Sequence, residues 1–392
     1  MIFNLIQILL LVYFSIATIY IFIFAVAGLF KLKKITQDDD RKRKFVLLIP
    51  AYKEDKVIIE TVKTALKSDY PSELLDIFVL ADSFKKETIE QLEKYPIEVI
   101  ELSFEKSTKA KSINKALEII PDDYEYVMIL DSDNLMEKDF VSKINIALSS
   151  GYKIIQGHRI AKNTNTPLAI LDAISEELAN HLYRKGHSVL GLSAALIGSG
   201  FAVDFQTYKK FMKNLDSYGG EDKLLDLELR KGFVKIRYID DAYIYDEKVQ
   251  NFADFIPQRS RWFANQYIYG KAHVFQGFSH LIRKGNIDYF NYAFIQTQPP
   301  RIFLIGFLFF ITILSIIFNP LSFTIAWSAI FLLCIIAFLF SIPKRFYNRK
   351  LIKAVLYLPV GFFWMMAAMF NMKGYTKRPT NTNHTITDFD IK

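Results

Sequence analysis

The sequence predicts an α/β domain with a mostly parallel sheet, held between membrane helices at both ends of the chain. Short apolar segments alternate with helical ones, and this order builds parallel strands that are covered on both faces. Residues 2–30 and 302–342 are nearly free of charge and long enough to cross a bilayer. Between them, charged and apolar residues are mixed as in a soluble domain.

Composition agrees with a chain that is partly in a membrane. Of the 392 residues, 51% are hydrophobic, and the mean hydropathy is +0.16. The formal net charge is +8. This excess lies largely beside the apolar segments, which favours attraction to anionic lipid head groups over nucleic acid. The one cysteine, Cys334, falls in a predicted span, so the sequence predicts neither a disulfide framework nor a cysteine metal site.

The first apolar segment is predicted to be a membrane helix rather than a signal peptide. It lacks a basic start and is longer than the roughly 7–15 apolar residues of a signal peptide. Basic residues follow at 31–34 and 41–44, and the positive flank predicts that residue 31 onward is cytoplasmic. The same rule places the basic residues at 344–350 on the cytoplasmic side.

The C-terminal region contains two clear predicted spans, at 302–318 and 321–342, joined by the outer turn Asn319-Pro320. A third stretch, 351–372, is interrupted by Pro359 and Gly361, and the sequence leaves open whether it crosses or enters and returns. Residues 252–301 mix aromatic and basic side chains, as amphipathic helices on a membrane face do. The predicted order is an N-terminal helix at 1–30, a cytoplasmic domain at 31–250, interface helices at 251–301, a C-terminal bundle at 302–372 and a polar tail at 373–392.

Strands and helices of the central domain follow from apolar runs, β-branched residues and breakers. The predicted strands are 45–50, 75–80, 97–102 and 126–130, and the predicted helices are 54–66, 87–94 and 109–120. Ligands in such sheets bind beyond the carboxyl ends of the strands. Pro50-Ala51-Tyr52, Asp82 and Asp131-Ser132-Asp133 all fall at such ends, which predicts that they share one site.

Three motifs carry the chemistry. Asp131 and Asp133 suit a hard divalent cation, Mg²⁺ or Mn²⁺, which prefers carboxylate oxygens and leaves positions for phosphate. The pair Glu221-Asp222 can supply a general base, and an arginine beside a tryptophan, Arg261-Trp262, suits a phosphate and a stacked sugar. Each also has a structural explanation: a solvated turn, a helix N-terminus and an interface helix. Together they indicate metal-dependent transfer from a diphosphate-linked donor beside a bilayer.

The ordered set of motifs resembles the inverting family-two glycosyltransferases. The branch it resembles is membrane-embedded and includes cellulose, chitin, hyaluronan and poly-N-acetylglucosamine synthases; ceramide glucosyltransferases share the Gln-x-x-Arg-Trp signature. The motifs are Pro50-Ala51-Tyr52-Lys53-Glu54, Asp82, Lys109-Ala110-Lys111-Ser112-Ile113-Asn114, Asp131-Ser132-Asp133, Gly198-Ser199-Gly200, Glu221-Asp222 and Gln258…Arg261-Trp262. Two positions depart from the family pattern: Lys53 stands where Asn is usual, and Gly220 where Thr is frequent.

The resemblance implies a GT-A-type, Rossmann-like cytoplasmic domain and a role for each motif. Asp131 and Asp133 would hold Mg²⁺ or Mn²⁺, Asp222 would be the catalytic base, and Glu221 would orient the site. Tyr52 and Asp82 would bind the nucleotide base, which the resemblance suggests is uracil. The residues implied in substrate and nucleotide binding are Tyr52, Glu54, Asp82, Lys109, Asp131, Gln258, Arg261 and Trp262. Gly198, Ser199 and Gly200 would form a loop at the acceptor, where small residues let backbone and sugar approach closely.

The predicted function is a membrane-bound inverting glycosyltransferase that uses a nucleotide-sugar donor, expected to be a UDP-sugar, and forms a β-glycosidic bond. The preferred version is processive polysaccharide synthesis. Transfer of a single sugar to a lipid is the alternative, and a non-catalytic membrane subunit or transporter is a reading of another class. The expected partners are the donor, a growing glycan or lipid acceptor, membrane lipids and accessory export subunits, but no nucleic acid. The expected location is the inner (plasma) membrane, with the catalytic domain in the cytoplasm.

Overall fold

The computed structural model describes residues 2–34, 39–213, 215, 220–374 and 386. A single sheet forms the centre of the molecule, helices cover its two faces, and apolar helices pack at one end. The strands are β1 (Phe45–Tyr52), β2 (Leu75–Asp82), β3 (Glu98–Leu102), β4 (Tyr126–Ile129), β5 (Leu135–Met136), β6 (Ile154–Ala161), β7 (Phe201–Asp204) and β8 (Ile236–Asp246). The helices are α1 (Ile2–Ala27), α2 (Ile58–Ala65), α3 (Lys86–Leu92), α4 (Lys109–Ile119), α5 (Phe140–Leu148), α6 (Pro167–Ala179), α7 (His187–Val189), α8 (Phe205–Met212), α9 (Glu221–Lys231), α10 (Phe252–Lys284), α11 (Ile287–Ile295), α12 (Arg301–Phe318), α13 (Leu321–Ser341) and α14 (Arg349–Asn371).

Strands β1 to β4 form the parallel half of the sheet. The full order is β3-β2-β1-β4-β7-β6-β8-β5, and β1 pairs in parallel with both β2 and β4. Alternate residues of β1 face opposite sides: Phe45, Leu47 and Ile49 enter one buried cluster, Val46 and Leu48 the other. The prediction of a parallel sheet covered on both faces is confirmed for this half.

The other half of the sheet is mixed, and the sequence did not predict it. Strand β7 runs antiparallel to both β4 and β6, whereas β8 is parallel to β6 and antiparallel to β5. These strands pair with segments far away in the chain, so their order depends on long-range packing rather than on local pattern.

The strand order creates a crevice between the ends of β1 and β4. The chain moves outward from β1 to β3 and then returns to the other side of β1, so the loops that follow β1 and β4 diverge. Such a switch point is where open α/β sheets bind ligands. It receives Tyr52 from β1 and Asp131 from the loop after β4.

Helix α2 begins four residues later than the predicted start at residue 54. Lys53 adopts a left-handed conformation, with φ of 56°. The carbonyl of Glu54 then accepts the backbone amides of Val57 and Ile58, each at 3.2 Å, which closes a turn before the helix. Helix α4 begins at the predicted residue because the Thr108 side chain caps it by accepting the amide of Lys111 at 3.2 Å.

Four of the described helices are long and apolar enough to cross a membrane: Asn4–Ala27, Arg301–Phe318, Leu321–Ser341 and Arg349–Asn371. The first three pack together around a solid interior of large side chains, with the rings of Phe14 and Trp327 6.2 Å apart and Leu304 and Leu308 buried beside them. The fourth, α14, is one continuous helix through Pro359.

The C-terminal half of α1 is embedded in the central domain rather than free in the bundle. The Tyr20 hydroxyl donates to Asn291 Oδ1 at 2.8 Å and lies 3.3 Å from Nε2 of the buried His187. His181 Nε2 donates to the Ala25 carbonyl at 2.8 Å. His181 belongs to a π-helical segment, Asn180–Gly186, that continues α6. Helix α1, the N-terminal membrane anchor, and the central domain are therefore one packed unit.

Candidate active site

Lys109 joins two of the predicted motifs at the crevice. From the first turn of α4, its Nζ donates to Asp131 Oδ1 at 2.5 Å and to the carbonyl of Gly198 at 2.6 Å. Burial works against the charged ammonium, but the carboxylates of Asp131 and Glu221 outweigh it and raise the pKa of Lys109. Lys109 therefore stays protonated and supplies positive charge at the centre of the acidic motifs.

Asp133 lies deeper than Asp131 and is held by a buried amide. Asn134 Nδ2 donates to Asp133 Oδ1 and to Asp246 Oδ1, both at 3.1 Å. The Oδ1 atom of Asn134 in turn accepts the hydroxyl of Ser199 at 2.6 Å. This network fixes the loop that follows β4, and it reaches Asp246 at the end of β8.

The two aspartates fit a divalent cation that is bound partly by its substrate. They offer hard oxygen ligands one residue apart, the type that Mg²⁺ and Mn²⁺ prefer. Among the residues that the structure describes, no group of three or more His, Cys, Asp or Glu side chains is placed to hold a metal. A cation here would need further oxygen ligands, and a diphosphate supplies them.

Glu221 and Asp222 form the first turn of α9 at the same crevice. Gly220 precedes them in a left-handed conformation, with φ of 73°, and a Cβ there would lie 2.4 Å from Asn265 Nδ2. A Cβ built on Gly198 would lie 3.4 Å from Asp222 Cβ and 3.5 Å from its Oδ2, so the Gly198 backbone passes directly against this carboxylate. The pair also suits a helix N-terminus electrostatically, so the structural and the catalytic explanations are compatible.

The charge of Glu221 depends on its neighbours. Burial raises the pKa of its carboxyl group, Lys109 opposes the shift, Asp222 adds to it, and Arg261 lowers it again. The ammonium of Lys109 and the guanidinium of Arg261 thus act on the acidic pair from α4 and α10, and Asn265 of α10 lies against Gly220, directly before the pair.

Helix α10 presents Gln258, Arg261 and Trp262. The indole of Trp262 is 41% exposed, which leaves it accessible to a ligand. The Oε1 atom of Gln258 is buried and has no hydrogen-bond partner among the described residues. An unsatisfied buried carbonyl is costly, and a ligand hydroxyl would satisfy it.

Arg259 belongs to this site, although the sequence reasoning did not select it. It is buried, pairs with Asp172 Oδ1 of α6, and its guanidinium lies 3.9 Å from the centroid of the Trp262 ring. Arg259 precedes Trp262 by three residues, a spacing that brings side chains together on a helix. That spacing was the available signal, but it could not reveal the partner on α6.

The predicted nucleotide-binding residues lie at the ends of β1 and β2. Tyr52 and Asp82 are paired in register. Asp82 is fully buried and accepts the hydroxyls of Ser107 and Ser83, the latter at 2.9 Å. Glu54 lies in the turn after Tyr52. In this arrangement Tyr52 is the more accessible of the paired residues, and the nucleotide-binding roles of Tyr52, Glu54 and Asp82 remain predictions.

The members of the predicted acceptor loop have different surroundings. Gly198 and Gly200 both need positive φ, 73° and 63°. Only Gly198 faces Asp222, whereas a Cβ on Gly200 would collide with Ile244 Cδ1 at 2.4 Å. Ser199 is fully buried and accepts the Asp131 amide at 2.9 Å. The acceptor role remains a prediction, and Gly198 is the position that the geometry suits.

Residues 42–265 match the model of a family described as glycosyltransferase like family 2. A probable glycosyltransferase of Bacillus subtilis, YdaM, is 24% identical over 234 residues, covering 57% of this chain and 56% of the relative. Chitin synthase G of Aspergillus niger is 22% identical over 298 residues, covering 61% of this chain and 40% of the relative. The chain thus spans about half the length of the curated relatives it matches.

Among solved structures, the mannosyltransferase PcManGT from Pyrobaculum calidifontis, in complex with GDP-Man and Mn²⁺, has a TM-score of 0.60. The match covers 94% of this chain and 98% of that one, at 15% sequence identity. At that identity the likeness shows the fold, and it confirms the expected GT-A-type domain with apolar helices.

Proposed function

Because this chain belongs to the glycosyltransferase like family 2, we propose that it is a membrane-bound inverting transferase that moves a sugar from a nucleotide-sugar donor to an acceptor hydroxyl. One observation carries the proposal: Lys109 binds both Asp131 and Gly198, and Gly198 lies against Asp222. The candidate metal ligand, a cation for the leaving group and the candidate base therefore surround one space.

The donor would occupy the Asp131 side of that space. Asp131 and Asp133 would hold Mg²⁺ or Mn²⁺, which when bound neutralises the charge of a departing nucleoside diphosphate. Lys109 and Arg261 would bind the diphosphate oxygens, since the fork of an arginine matches phosphate geometry. Tyr52 and Asp82, with Glu54 nearby, would bind the base, for which we expect uracil.

The acceptor would occupy the side of Asp222 and Trp262. Asp222 would take the proton of the acceptor hydroxyl as that oxygen attacks the anomeric carbon, while the bond from this carbon to the diphosphate oxygen breaks. A single displacement inverts the carbon, so an α-linked donor gives a β-glycosidic bond. Glu221 would orient the site, Trp262 would stack on the acceptor and Gln258 would hydrogen-bond to it.

The membrane bundle favours an acceptor that reaches the site from the lipid, such as a glycolipid or a polyprenyl carrier. Phe14, Leu308 and Trp327 fill the space between α1, α12 and α13, and a glycan chain could not pass through that interior. Processive synthesis of a β-linked polysaccharide is the second candidate, and the similarity to chitin synthase G of Aspergillus niger supports it. Polymer export would then need accessory subunits. We expect the catalytic domain to lie in the cytoplasm, beneath the inner (plasma) membrane.

The test is a transfer assay on the full chain in nanodiscs with Mn²⁺ and a panel of radiolabelled UDP-sugars. Product that partitions into the organic phase would support single transfer to a lipid, and a long water-soluble or insoluble polymer would support processive synthesis. If the protein consumed no nucleotide sugar, either in this panel or in a second panel of GDP-sugars, a non-catalytic subunit would be favoured instead.

Asp222→Asn is the first variant to test. We expect it to lower kcat by about 10²- to 10⁴-fold, the usual contribution of a general base, and to leave donor affinity close to that of the wild type. Glu228→Gln, on the same helix but away from the crevice, is the matched control and should keep full activity. An Asp222→Asn protein as active as this control would exclude Asp222 as the base.

A further inference from the structure

Helix α14 has the length and composition of a membrane span, yet both of its ends contact the catalytic domain. Near its start, Lys350 Nζ donates to Thr164 Oγ1 at 2.8 Å. Near its end, the carbonyl of Ala368 accepts the hydroxyl of Ser260 at 2.8 Å. Eighteen residues of helix, about 27 Å at 1.5 Å per residue, separate these two contacts. A helix perpendicular to the membrane could not touch a domain on one side with both ends.

The middle of α14 lies against the same domain. Tyr357 and Trp364 pack on a buried cluster formed by Leu168, Val249 and Phe255. Gly361 lies so close to α6 that a Cβ there would be 2.8 Å from Leu171 Cδ2. The helix therefore runs along α6 and α10 over its whole length.

The aromatic contacts between α14 and the bundle converge on Phe362. Beside it, a Cβ on Gly361 would lie 3.3 Å from Ile302 Cδ1, and Met365 and Met369 pack on the cluster that contains Phe303. The ring of Phe362 meets Phe303, Phe307 and Phe310, on successive turns of α12, at 5.4–6.1 Å. Two helices that spanned the membrane side by side would bring each turn of one to a turn of the other. The rings of three turns of α12 instead converge on one residue of α14, which is the pattern of helices that cross.

The exposed side of α14 suits the lipid surface. Large apolar side chains are exposed at Ile352, Leu356, Val360, Phe363 and Phe370. Their spacing of three, four and seven residues places them on one side of the helix. Exposed basic residues flank this stripe at Arg349, Lys350, Lys353 and Lys373. An apolar stripe with basic neighbours is typical of helices that lie in the interface between head groups and acyl chains.

Residue 386 is also on the side of the catalytic domain. The Ile386 amide donates to Glu247 Oε2 at 2.9 Å, and Glu247 directly follows β8. Because α14 begins beside Thr164 on that side, a crossing by α14 would place Ile386 on the opposite side of the membrane. The contact with Glu247 excludes this arrangement.

We propose that α14 is not a membrane span but an interface helix, which lies on the bilayer surface with its apolar stripe in lipid and its other face on the catalytic domain. The described part of the chain then crosses the membrane three times, by α1, α12 and α13, and residue 386 remains on the catalytic side. This inference concerns the membrane as partner and does not depend on the sugar or the acceptor.

Depth measurements on the full chain in nanodiscs test the proposal. With Cys334→Ala as background, spin labels are placed singly at Ile352, Val360, Phe363 and Phe370, and their accessibility to oxygen and to a nickel chelate is compared. We expect one shallow depth for all four positions. Ile325, Leu332 and Leu339 of α13, which are exposed too, are the matched control and should be deepest at Leu332. The proposal would be overturned if Val360 or Phe363 were the deepest position and Ile352 and Phe370 lay at opposite surfaces of the membrane.

Labelling in cells tests the side of the tail. In the same background, Ser72→Cys marks the catalytic domain, Ser322→Cys marks the turn between α12 and α13, and Ile386→Cys marks the tail. We expect an impermeant maleimide to label Ser322→Cys in intact cells, and Ser72→Cys and Ile386→Cys only after permeabilisation. Labelling of Ile386→Cys in intact cells would overturn the proposal. Protection of Ile386→Cys from the maleimide in intact and in permeabilised cells would also contradict the proposal. The exception is a thiol that reacts after denaturation, because it was then buried against the domain.

Discussion

At the scale of single residues, Arg259 connects Trp262 of α10 to Asp172 of α6. Its guanidinium lies between the carboxylate of Asp172 and the indole of Trp262. A cation over an aromatic face contributes about 0.5–2 kcal/mol, and here the guanidinium lies 3.9 Å from the centroid of the indole. We therefore expect Arg259 to be a positioning residue that acts through Trp262.

Arg259→Lys tests that role. Lysine keeps the charge but lacks the planar fork that pairs with Asp172 and stacks on Trp262. We expect the KM for the acceptor to rise by about 2- to 30-fold, the equivalent of 0.5–2 kcal/mol, with the donor KM unchanged. The emission of Trp262, obtained by comparison with Trp262→Phe, should shift as well. Arg283→Lys, at the far end of α10, is the control. If Arg259→Lys matched this control in both the acceptor KM and the Trp262 emission, the role of Arg259 would be merely structural.

Glu221 connects the site to pH. Because burial raises the pKa of this carboxyl, the folded protein binds its proton more tightly than the unfolded chain does. At a pH above the pKa of Glu221 in the folded protein, the buried carboxylate therefore lowers the free energy of unfolding. This destabilisation disappears as the pH falls below the pKa of Glu221 in the unfolded chain. Glu221→Gln removes the destabilisation.

We expect Glu221→Gln to raise Tm relative to the wild type more at about pH 8 than at about pH 5. Thermal unfolding in nanodiscs across that range is the measurement, and Glu228→Gln should shift Tm equally at both ends. If the Tm of Glu221→Gln instead exceeded that of the wild type by more at low pH than at high pH, the pKa of Glu221 would be lowered rather than raised by folding.

At the scale of elements, the contact between α1 and the π-helical segment Asn180–Gly186 leaves no room for a side chain at Gly186. A Cβ on Gly186 would lie 2.5 Å from the Phe24 carbonyl oxygen and 3.1 Å from that of His181. Both are backbone atoms, which cannot rotate away as the end of a side chain can. Glycine is thus required where the anchor meets the domain.

Gly186→Ala should therefore destabilise the protein, although Gly→Ala inside a helix ordinarily stabilises it. We expect the free energy of unfolding to fall by about 1–3 kcal/mol, the usual cost of overpacking, measured by chemical denaturation in detergent. Gly232→Ala, where the nearest atoms would be at ordinary distances of 3.4–3.5 Å, should change it little. Equal stability of the two variants would show that α1 and the domain are loosely joined.

Prediction from the sequence succeeded where local pattern decides the structure. Strand β1 follows from the apolar run at 45–50, and the start of α4 follows from the cap at Thr108. In both cases the residues that determine the structure lie within or next to the element. The motif residues Asp131, Gly198 and Asp222 were selected by residue type, and the structure brings them together. Arg259 was missed because its partner Asp172 is 87 residues away. Strands β6 to β8 were not predicted for the same reason, since they pair with segments that are distant in the sequence.

At the scale of the whole molecule, composition could not decide the path of α14. Helix α14 is less apolar than α12 and α13, but its length and composition still allow it to cross a membrane. The contacts that decide are with Thr164 and Ser260, 186 and 108 residues earlier in the chain. With α14 on the surface as proposed, the three remaining helices and their filled interior would act as a support that holds the central domain against the bilayer.

The burial of α1 in the catalytic domain has a consequence for how the chain is made. Tyr20 leaves the ribosome long before its partners, since His187 and Asn291 lie 167 and 271 residues further on. During most of translation the inner half of α1 must wait in the membrane with that hydroxyl unmatched. We therefore expect the inner half of α1 to dock only after both partners have been synthesised, when α1 has already inserted in the bilayer.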